Sequence, residues 1–321
     1  FYFTGGEPFI YPDFPAILSD LLEDQAIHAV VLTNGLLIQD HISDLKKLSA
    51  DRLHLQISMD GMEESHDKIR GKGMFTRLQH NLDCLGAADI SVTLSMALNR
   101  DNLFDLQDII GFAALKGISN IHLLYHFVRG KGSSSQFVPA AELFSHLAAA
   151  QHKAEDLGVT IDNFEIIKSQ IFSSPGTRYD LSNTAWESIA VGPDGHIYPS
   201  PALVGISELD CGPLAAGLEN ILHTSRVLQD IRSTSLKDSL YRENPLKFLI
   251  GGGDIDHSYI QSQKFSGHDP YLELYNHMAL WLIKQQAKRY MHGDKADIVL
   301  KMGDVRYDCP DGCLLYTSDA A

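Results

Sequence analysis

The sequence predicts an α/β fold of parallel strands alternating with helices, followed from about residue 160 by a smaller α+β region. Two observations carry this. Apolar, β-prone runs at residues 1–4, 29–33, 53–58, 90–97 and 121–127 alternate with helix-periodic runs at 14–22, 42–48, 75–88, 103–116 and 140–157. A parallel return needs a crossover, and a helix normally supplies it. That leaves an α/β barrel or an open wound sheet. The choice between them rests on polar or glycine residues just past the carboxyl ends of several strands: Gly5, Gly6 and Glu7; Asn34; Ser58 and Asp60; and Asn99. A barrel gathers such ends on one ligand-binding rim.

Each element has a local reason. The aromatic run 1–4 stops at Gly5-Gly6, and Pro12 can stand in the first turn of a helix whose Phe14, Ile17, Leu18, Leu21 and Leu22 share one face. The run 29–33 ends at Asn34-Gly35, and a polar loop follows 53–58. Gly117 and Gly158 close the helices 103–116 and 140–157, and Gly130 to Ser135 reads as a loop. Beyond residue 160, Pro193-Asp194-Gly195 suits the tight turn of a hairpin between 187–191 and 196–198. Asp269-Pro270 suits the start of a long helix with an apolar stripe at Tyr271, Leu274, Tyr275, Met278, Trp281 and Leu282.

The bulk numbers narrow the function. The 321 residues carry 26 Lys plus Arg against 41 Asp plus Glu, a net charge of −15, which repels phosphate backbones and anionic lipid. Nucleic acid and membrane are therefore not expected partners. No apolar run is long enough to span a bilayer, and the four cysteines, Cys84, Cys211, Cys309 and Cys313, are too sparse for a disulfide framework. A reducing, cytoplasmic setting is the expectation.

The sharpest chemical signal is Thr4-Gly5-Gly6-Glu7-Pro8 directly after the first strand. Two glycines let backbone approach a ligand, Glu7 offers an acceptor for an ammonium group, and Pro8 stiffens the exit. Asp254, Asp256 and His257 follow three glycines and could bind a metal, act as acid or base, or form a solvated turn. Cys309 and Cys313 cannot complete a four-ligand metal site alone.

Gly5-Gly6-Glu7-Pro8 resembles the motif that radical S-adenosylmethionine (SAM, AdoMet) enzymes place after the second barrel strand to hold the methionyl amine of SAM. Thr33-Asn34-Gly35 resembles the family's third-strand end, and Ile57-Ser58-Met59-Asp60-Gly61, with His66-Asp67 and Arg70-Gly71, is similar to its fourth-strand segment. The resemblance covers residues 1 to about 130. It implies a partial (β/α)6 TIM-like barrel in which Gly5, Gly6, Glu7, Pro8, Ser58, Asp60 and Asn99 contact SAM. Ser58 would lie near the carboxylate or ribose, and Asn99 near the ribose. The residues themselves also allow helix caps at Ser58 and Asn99 and a loop ion pair between Asp60 and Arg70.

The family's Cys-x3-Cys-x2-Cys loop, whose thiolates hold a 4Fe-4S cluster, has no counterpart in the sequence. The expectation is that it precedes Phe1, so that the chain is a fragment lacking the first strand and the cluster loop. The intact enzyme would take electrons from a donor, cleave SAM at the cluster, and use a 5'-deoxyadenosyl radical to abstract a substrate hydrogen.

The later region resembles the SPASM-type extension of peptide-modifying members, through 192–199 and the turn 250–254. Ser200, Ile250 and Asp254 stand where that family has cysteine, so an auxiliary cluster is not expected, and Cys211 is either a ligand or simply packed. A peptide or protein substrate is what this resemblance implies. The expected division is a partial barrel at 1–160, the extension at 161–312, and a non-native tail at 313–321 that resembles the translated read-through of a sequencing adaptor. Rival readings are a metal or acid–base barrel enzyme using Asp254, Asp256 and His257, and a non-catalytic barrel that binds SAM or a peptide.

Overall fold

The computed structural model describes residues 1–48, 50–126, 132–172 and 182–291. Cys309, Cys313, the tail 313–321 and parts of the expected 121–127 strand and 130–135 loop lie outside the described residues. The chain divides into two compact units, Phe1–Glu165 and Ile166–Ala321.

The first unit runs β1 (Tyr2–Phe3), α1 (Phe14–Leu21), β2 (Ala29–Thr33), α2 (Ile38–Leu45), β3 (Leu53–Ser58), α3 (Glu63–Arg70), α4 (Met74–Gly86), β4 (Ser91–Leu98), α5 (Leu106–Leu115), β5 (Asn120–Tyr125), α6 (Ala140–Leu157) and β6 (Thr160–Ile161), leading into α7 (Asp162–Ile171). The six strands form one sheet in chain order, and every neighbouring pair is parallel. Sequential order with crossovers of one hand puts every crossover helix on the same side of the sheet, as in a barrel. The burial pattern agrees. Leu53, Leu55 and Ile57 of β3 are buried, while His54, Gln56 and Ser58 between them are partly open. One face therefore packs under helices and the other, the inner face, carries the polar alternates. On the packed side, Phe14 of α1 meets the Phe3 and Phe9 rings edge-on at 5.2 and 5.3 Å.

Several expected boundaries shift for physical reasons. Pro15, not Pro12, stands in the first turn of α1, and Ile17 faces solvent while Phe14, Leu18 and Leu22 form the buried stripe. Helix α2 starts four residues earlier than the 42–48 run because Ile38 and Leu45, one buried residue at each end, set its span. The segment read as a polar loop after β3 holds α3. It has no apolar stripe and buries only His66, but Glu63 and Glu64 open it and Lys68 and Arg70 close it, complementing the helix dipole. Helix α6 spans 140–157 as expected, and Gly158 at φ 68° ends it.

The second unit contains the antiparallel hairpin of β7 (Ala190–Val191) and β8 (Ile197–Tyr198), then α8 (Leu218–Thr224), α9 (Arg226–Ser233), α10 (Lys247–Ile250), α11 (Ile255–Ser262) and α12 (Leu272–Met291). The hairpin turn closes with the Gly195 N–H donating to the Gly192 carbonyl, and Gly195 takes φ 76°. A small core of Ile197, Ile221, Leu228, Ile231, Leu236 and Ile255 holds the unit. Among the described residues no helix is long and apolar enough to cross a membrane.

Two buried carboxylates organise this second unit. Asp256 accepts hydrogen bonds from Ser200 Oγ at 2.8 Å and Thr184 Oγ1 at 3.1 Å. Asp269 accepts from the Asp254 and Tyr271 N–H groups at 2.7 and 2.8 Å, and burial pushes its pKa up to about 6 against the partial opposition of nearby His257. A folded-state pKa above the unfolded value means that the folded protein holds this proton more tightly. The stabilisation is complete below about pH 4 and is lost as the pH rises to about 6. Asp269→Asn removes the titration and one acceptor, so it should destabilise by about 1–3 kcal/mol at pH 4. Thermal melts at pH 4, 5 and 6 should show the wild-type advantage shrinking as pH rises; an advantage that widens contradicts the assignment.

Candidate ligand-binding rim

Because the strands are parallel, their carboxyl ends share one rim, and the residues following β1 to β4 meet there. Glu7 is the tie between the first two. Its Oε1 accepts from Thr33 Oγ1 at 2.7 Å and from the Phe9 N–H at 3.3 Å, and its Oε2 accepts from the Asn34 N–H at 2.8 Å. The Phe9 bond caps the short 3-10 turn Pro8–Ile10, in which Pro8 takes the first position. Thr33 Oγ1 in turn accepts from the Gly35 N–H at 3.0 Å. Gly35 must be glycine: it takes φ 74°, and a Cβ would lie 2.8 Å from Leu78 Cδ1.

Gly5 and Gly6 differ from Gly35. Gly5 takes φ 119°, which a side chain would strain, but nothing lies within 4 Å of a Cβ placed on either Gly5 or Gly6. The fold thus leaves open space around both. Gly6 has neither a left-handed backbone nor a close neighbour to require glycine.

Asp60, at the end of β3, is buried and fully engaged. Its Oδ2 accepts from Arg70 Nε at 2.6 Å and its Oδ1 from the Ala97 N–H at 3.2 Å. Its own N–H donates to His66 Nδ1 at 3.2 Å, and its carbonyl accepts from Asn102 Nδ2 at 3.1 Å. The ion-pair alternative for Asp60 and Arg70 is thus formed. Burial lowers the His66 pKa, with Asp60 acting the other way, so the imidazole is neutral at neutral pH and its Nδ1 is free to accept. Asn99 is also engaged: its Oδ1 accepts from the Asp101 N–H at 2.8 Å, its N–H donates to Asn102 Oδ1 at 2.9 Å, and its Nδ2 donates to the Ala97 carbonyl at 3.3 Å. Ser58 is the exception. It is partly open on the inner face, and its Oγ makes no hydrogen bond among the described residues.

Sequence reasoning passed over Asn102 and Asp105 and gave His66 no role of its own, yet all three brace the β3 end. Asp105 Oδ2 accepts from the Met62 N–H at 2.8 Å, and Gly61, at φ 139°, leaves no room for a Cβ beside it. The signal, a buried amide and imidazole with a carboxylate beyond strand ends, is visible only once the strands are placed.

Asp256 does not join Asp254 and His257, which both meet Asp269. Asp254 Oδ1 caps α11 by accepting from the His257 N–H at 3.0 Å, Asp256 turns to Ser200 and Thr184, and the His257 ring packs on Tyr271 at 5.0 Å. Among the described residues no group of three His, Cys, Asp or Glu side chains could hold a metal. Cys84 lies on α4; Cys211, in the second unit, has its thiol pKa raised by burial.

Residues 1–113 match the family described as the Radical SAM superfamily. The match lies within the barrel unit. The chain is 34% identical over 134 residues to the Fe-coproporphyrin III synthase of Methanosarcina barkeri, a match spanning 41% of this chain and 33% of the synthase. It is 23% identical over 286 residues to the PqqA peptide cyclase of Streptomyces rochei, spanning 87% of this chain and 77% of the cyclase. The solved structure of anSMEcpe with bound AdoMet and Kp18Cys peptide has the same fold, with a TM-score of 0.72 at 16% identity over 91% of this chain and 85% of that one.

The rim is testable without any ligand. Glu7→Gln and Thr33→Val should each cost about 1–2 kcal/mol, since each breaks the tie between β1 and β2. Because they share one hydrogen bond, the double variant should cost less than the two single losses added. Urea denaturation measures all three; strict additivity would mean that the bond carries no energy.

Proposed function

We propose that this chain holds the SAM-binding part of a radical SAM enzyme, with the methionyl end of SAM gripped by the Gly5-Gly6 backbone on the rim. The observation that carries this reading is that space around Gly6 which the fold does not use. Glu7 supports the grip indirectly. Three donors already hold its carboxylate, so it fixes the loop, and an ammonium group would share its remaining lone pairs. Pro8 stiffens the exit of the loop, and Ser58 offers its unpartnered hydroxyl two strands away. Asp60 and Asn99 would act mainly by holding the β3 and β4 ends in place, because their side chains are spent within the fold.

The 4Fe-4S cluster does not fit the residues described: no thiolate set exists among them, and the sequence contains no Cys-x3-Cys-x2-Cys. Its ligands would belong to the whole protein outside this chain. For that protein we propose cleavage of SAM to a 5'-deoxyadenosyl radical, with an electron donor, and hydrogen abstraction from a peptide or protein substrate. Likeness to a peptide cyclase along most of the chain supports the substrate class. The second unit would be a SPASM-like extension without an auxiliary cluster. Where cysteines would stand, Ser200 donates to Asp256, Ile250 is buried, and Asp254 caps α11.

Calorimetric titration of SAM tests the grip. Gly6→Ala should leave the melting temperature nearly unchanged, because the added methyl meets nothing, yet weaken SAM at least tenfold, about 1.4 kcal/mol. Equal affinity in Gly6→Ala would refute the assignment of the loop. Anaerobic reconstitution of the complete reading frame with iron and sulfide should then yield 5'-deoxyadenosine.

A further inference from the structure

The inner face of the sheet carries a polar ladder that the SAM reading does not use. Strand register sets Ser58 of β3, Ser95 of β4 and His122 of β5 in one row, and the Ile121–Ile161 pairing brings Asp162 beside His122 at the next step. Most of the ladder satisfies itself. His54 meets Ser91 Oγ through Nδ1 and Thr93 Oγ1 through Nε2, both at 2.8 Å, and Asn120 Nδ2 donates to the same Thr93 oxygen at 2.9 Å. Gln56 Nε2 donates to Ser95 Oγ at 3.1 Å.

His122 is held differently. Its Nδ1 lies 3.0 and 2.9 Å from the two oxygens of Asp162, and among the described residues the ring's hydrogen bonds are made through Nδ1 alone. Both side chains are partly open, at 27% and 30% of full exposure. The pair is also fixed in place. β6 ends after two residues and turns into α7, and the Asn163 amide continues the strand pairing by accepting from the Leu123 N–H and donating to the Leu123 carbonyl, each at 2.8 Å. Asp162 is therefore pinned between strand and helix. A carboxylate only accepts, so it selects the Nδ1–H tautomer and leaves the Nε2 lone pair pointing away from it.

We propose that His122, positioned by Asp162, is a substrate contact that accepts a hydrogen bond at Nε2 from an N–H or O–H group. The assignment to substrate rests on the SAM reading. If the Gly5-Gly6 loop after β1 holds the methionyl end, then β5 lies four strand spacings away, ~19 Å along the sheet. Ser58 is two spacings from His122, ~10 Å, so the two can face different parts of one mouth. An imidazole whose proton is fixed on the carboxylate side suits amides, alcohols and ammonium groups, all of which a peptide offers, and rejects carbonyls and ethers.

The test starts with the full chain labelled with 15N-histidine. Long-range 15N–1H spectra at pH 8 should show His122 protonated at Nδ1 and bare at Nε2, and Asp162→Asn should move the proton to Nε2. Diethyl pyrocarbonate, read by mass spectrometry, should modify His122 at least tenfold faster than His54, and saturating SAM should change that rate less than twofold. An Nε2–H tautomer in the wild type, reactivity equal to that of His54, or strong protection by SAM would overturn the proposal. Failure of the chain to bind SAM, with tautomer and reactivity as expected, would overturn the SAM reading and with it the assignment to substrate, and leave only the positioning of His122 by Asp162. In the complete enzyme, His122→Gln should lower substrate consumed per 5'-deoxyadenosine formed at least tenfold; an unchanged ratio removes the substrate role.

Discussion

The Glu7 carboxylate is the interaction on which the rim depends. One side chain draws the Thr33 hydroxyl and the Asn34 and Phe9 N–H groups together, and so locks the loop after β1 to the end of β2. A loop with two adjacent glycines would otherwise sample many conformations, because glycine loses the most backbone freedom on ordering. The lock supplies that ordering from outside the glycines and leaves their backbone bare. Charge-assisted bonds suit this task, being stronger than neutral ones.

Along the rest of the rim, side chains divide into those the fold consumes and those it leaves over. Asp60, His66, Asn99 and Asn102 form one bonded group bracing the ends of β3 and β4. Ser58, Gly5, Gly6 and the Nε2 of His122 are left over, and they all lie on the rim or on the inner face that sequential winding leaves without crossover helices. A sheet wound in one direction thus produces both the packed face and the ligand face from the same alternation of residues.

Much of this was legible in the sequence. Strands β2 and β3 and helix α6 could be read to the residue because apolar period and glycine stops agreed, as at Gly158. The Gly5-Gly6-Glu7-Pro8 loop and the strand-end polar residues do follow the carboxyl ends of parallel strands. What each residue does there was less legible. Whether Asp60 meets a ligand or Arg70 depends on contacts ten residues apart in sequence, and Asn99 reads equally as a cap or a ligand until Asn102 is placed beside it. Helix α3 escaped because charge at its ends, and not an apolar stripe, holds it. The His122–Asp162 pair spans forty residues and shows itself only through strand register. In the second unit, Asp254 and His257 meet each other and Asp269, whereas Asp256 turns to Ser200 and Thr184, so adjacency in sequence was no guide to which side chains meet.

Amide hydrogen exchange of the chain with and without saturating SAM tests the central claim most directly, since it reads the backbone that is said to bind. Slowed exchange at residues 5–7 and 34, extending to 58–60 and absent from 254–257, is the predicted pattern. No change at residues 5–7, or protection confined to the second unit, would contradict it.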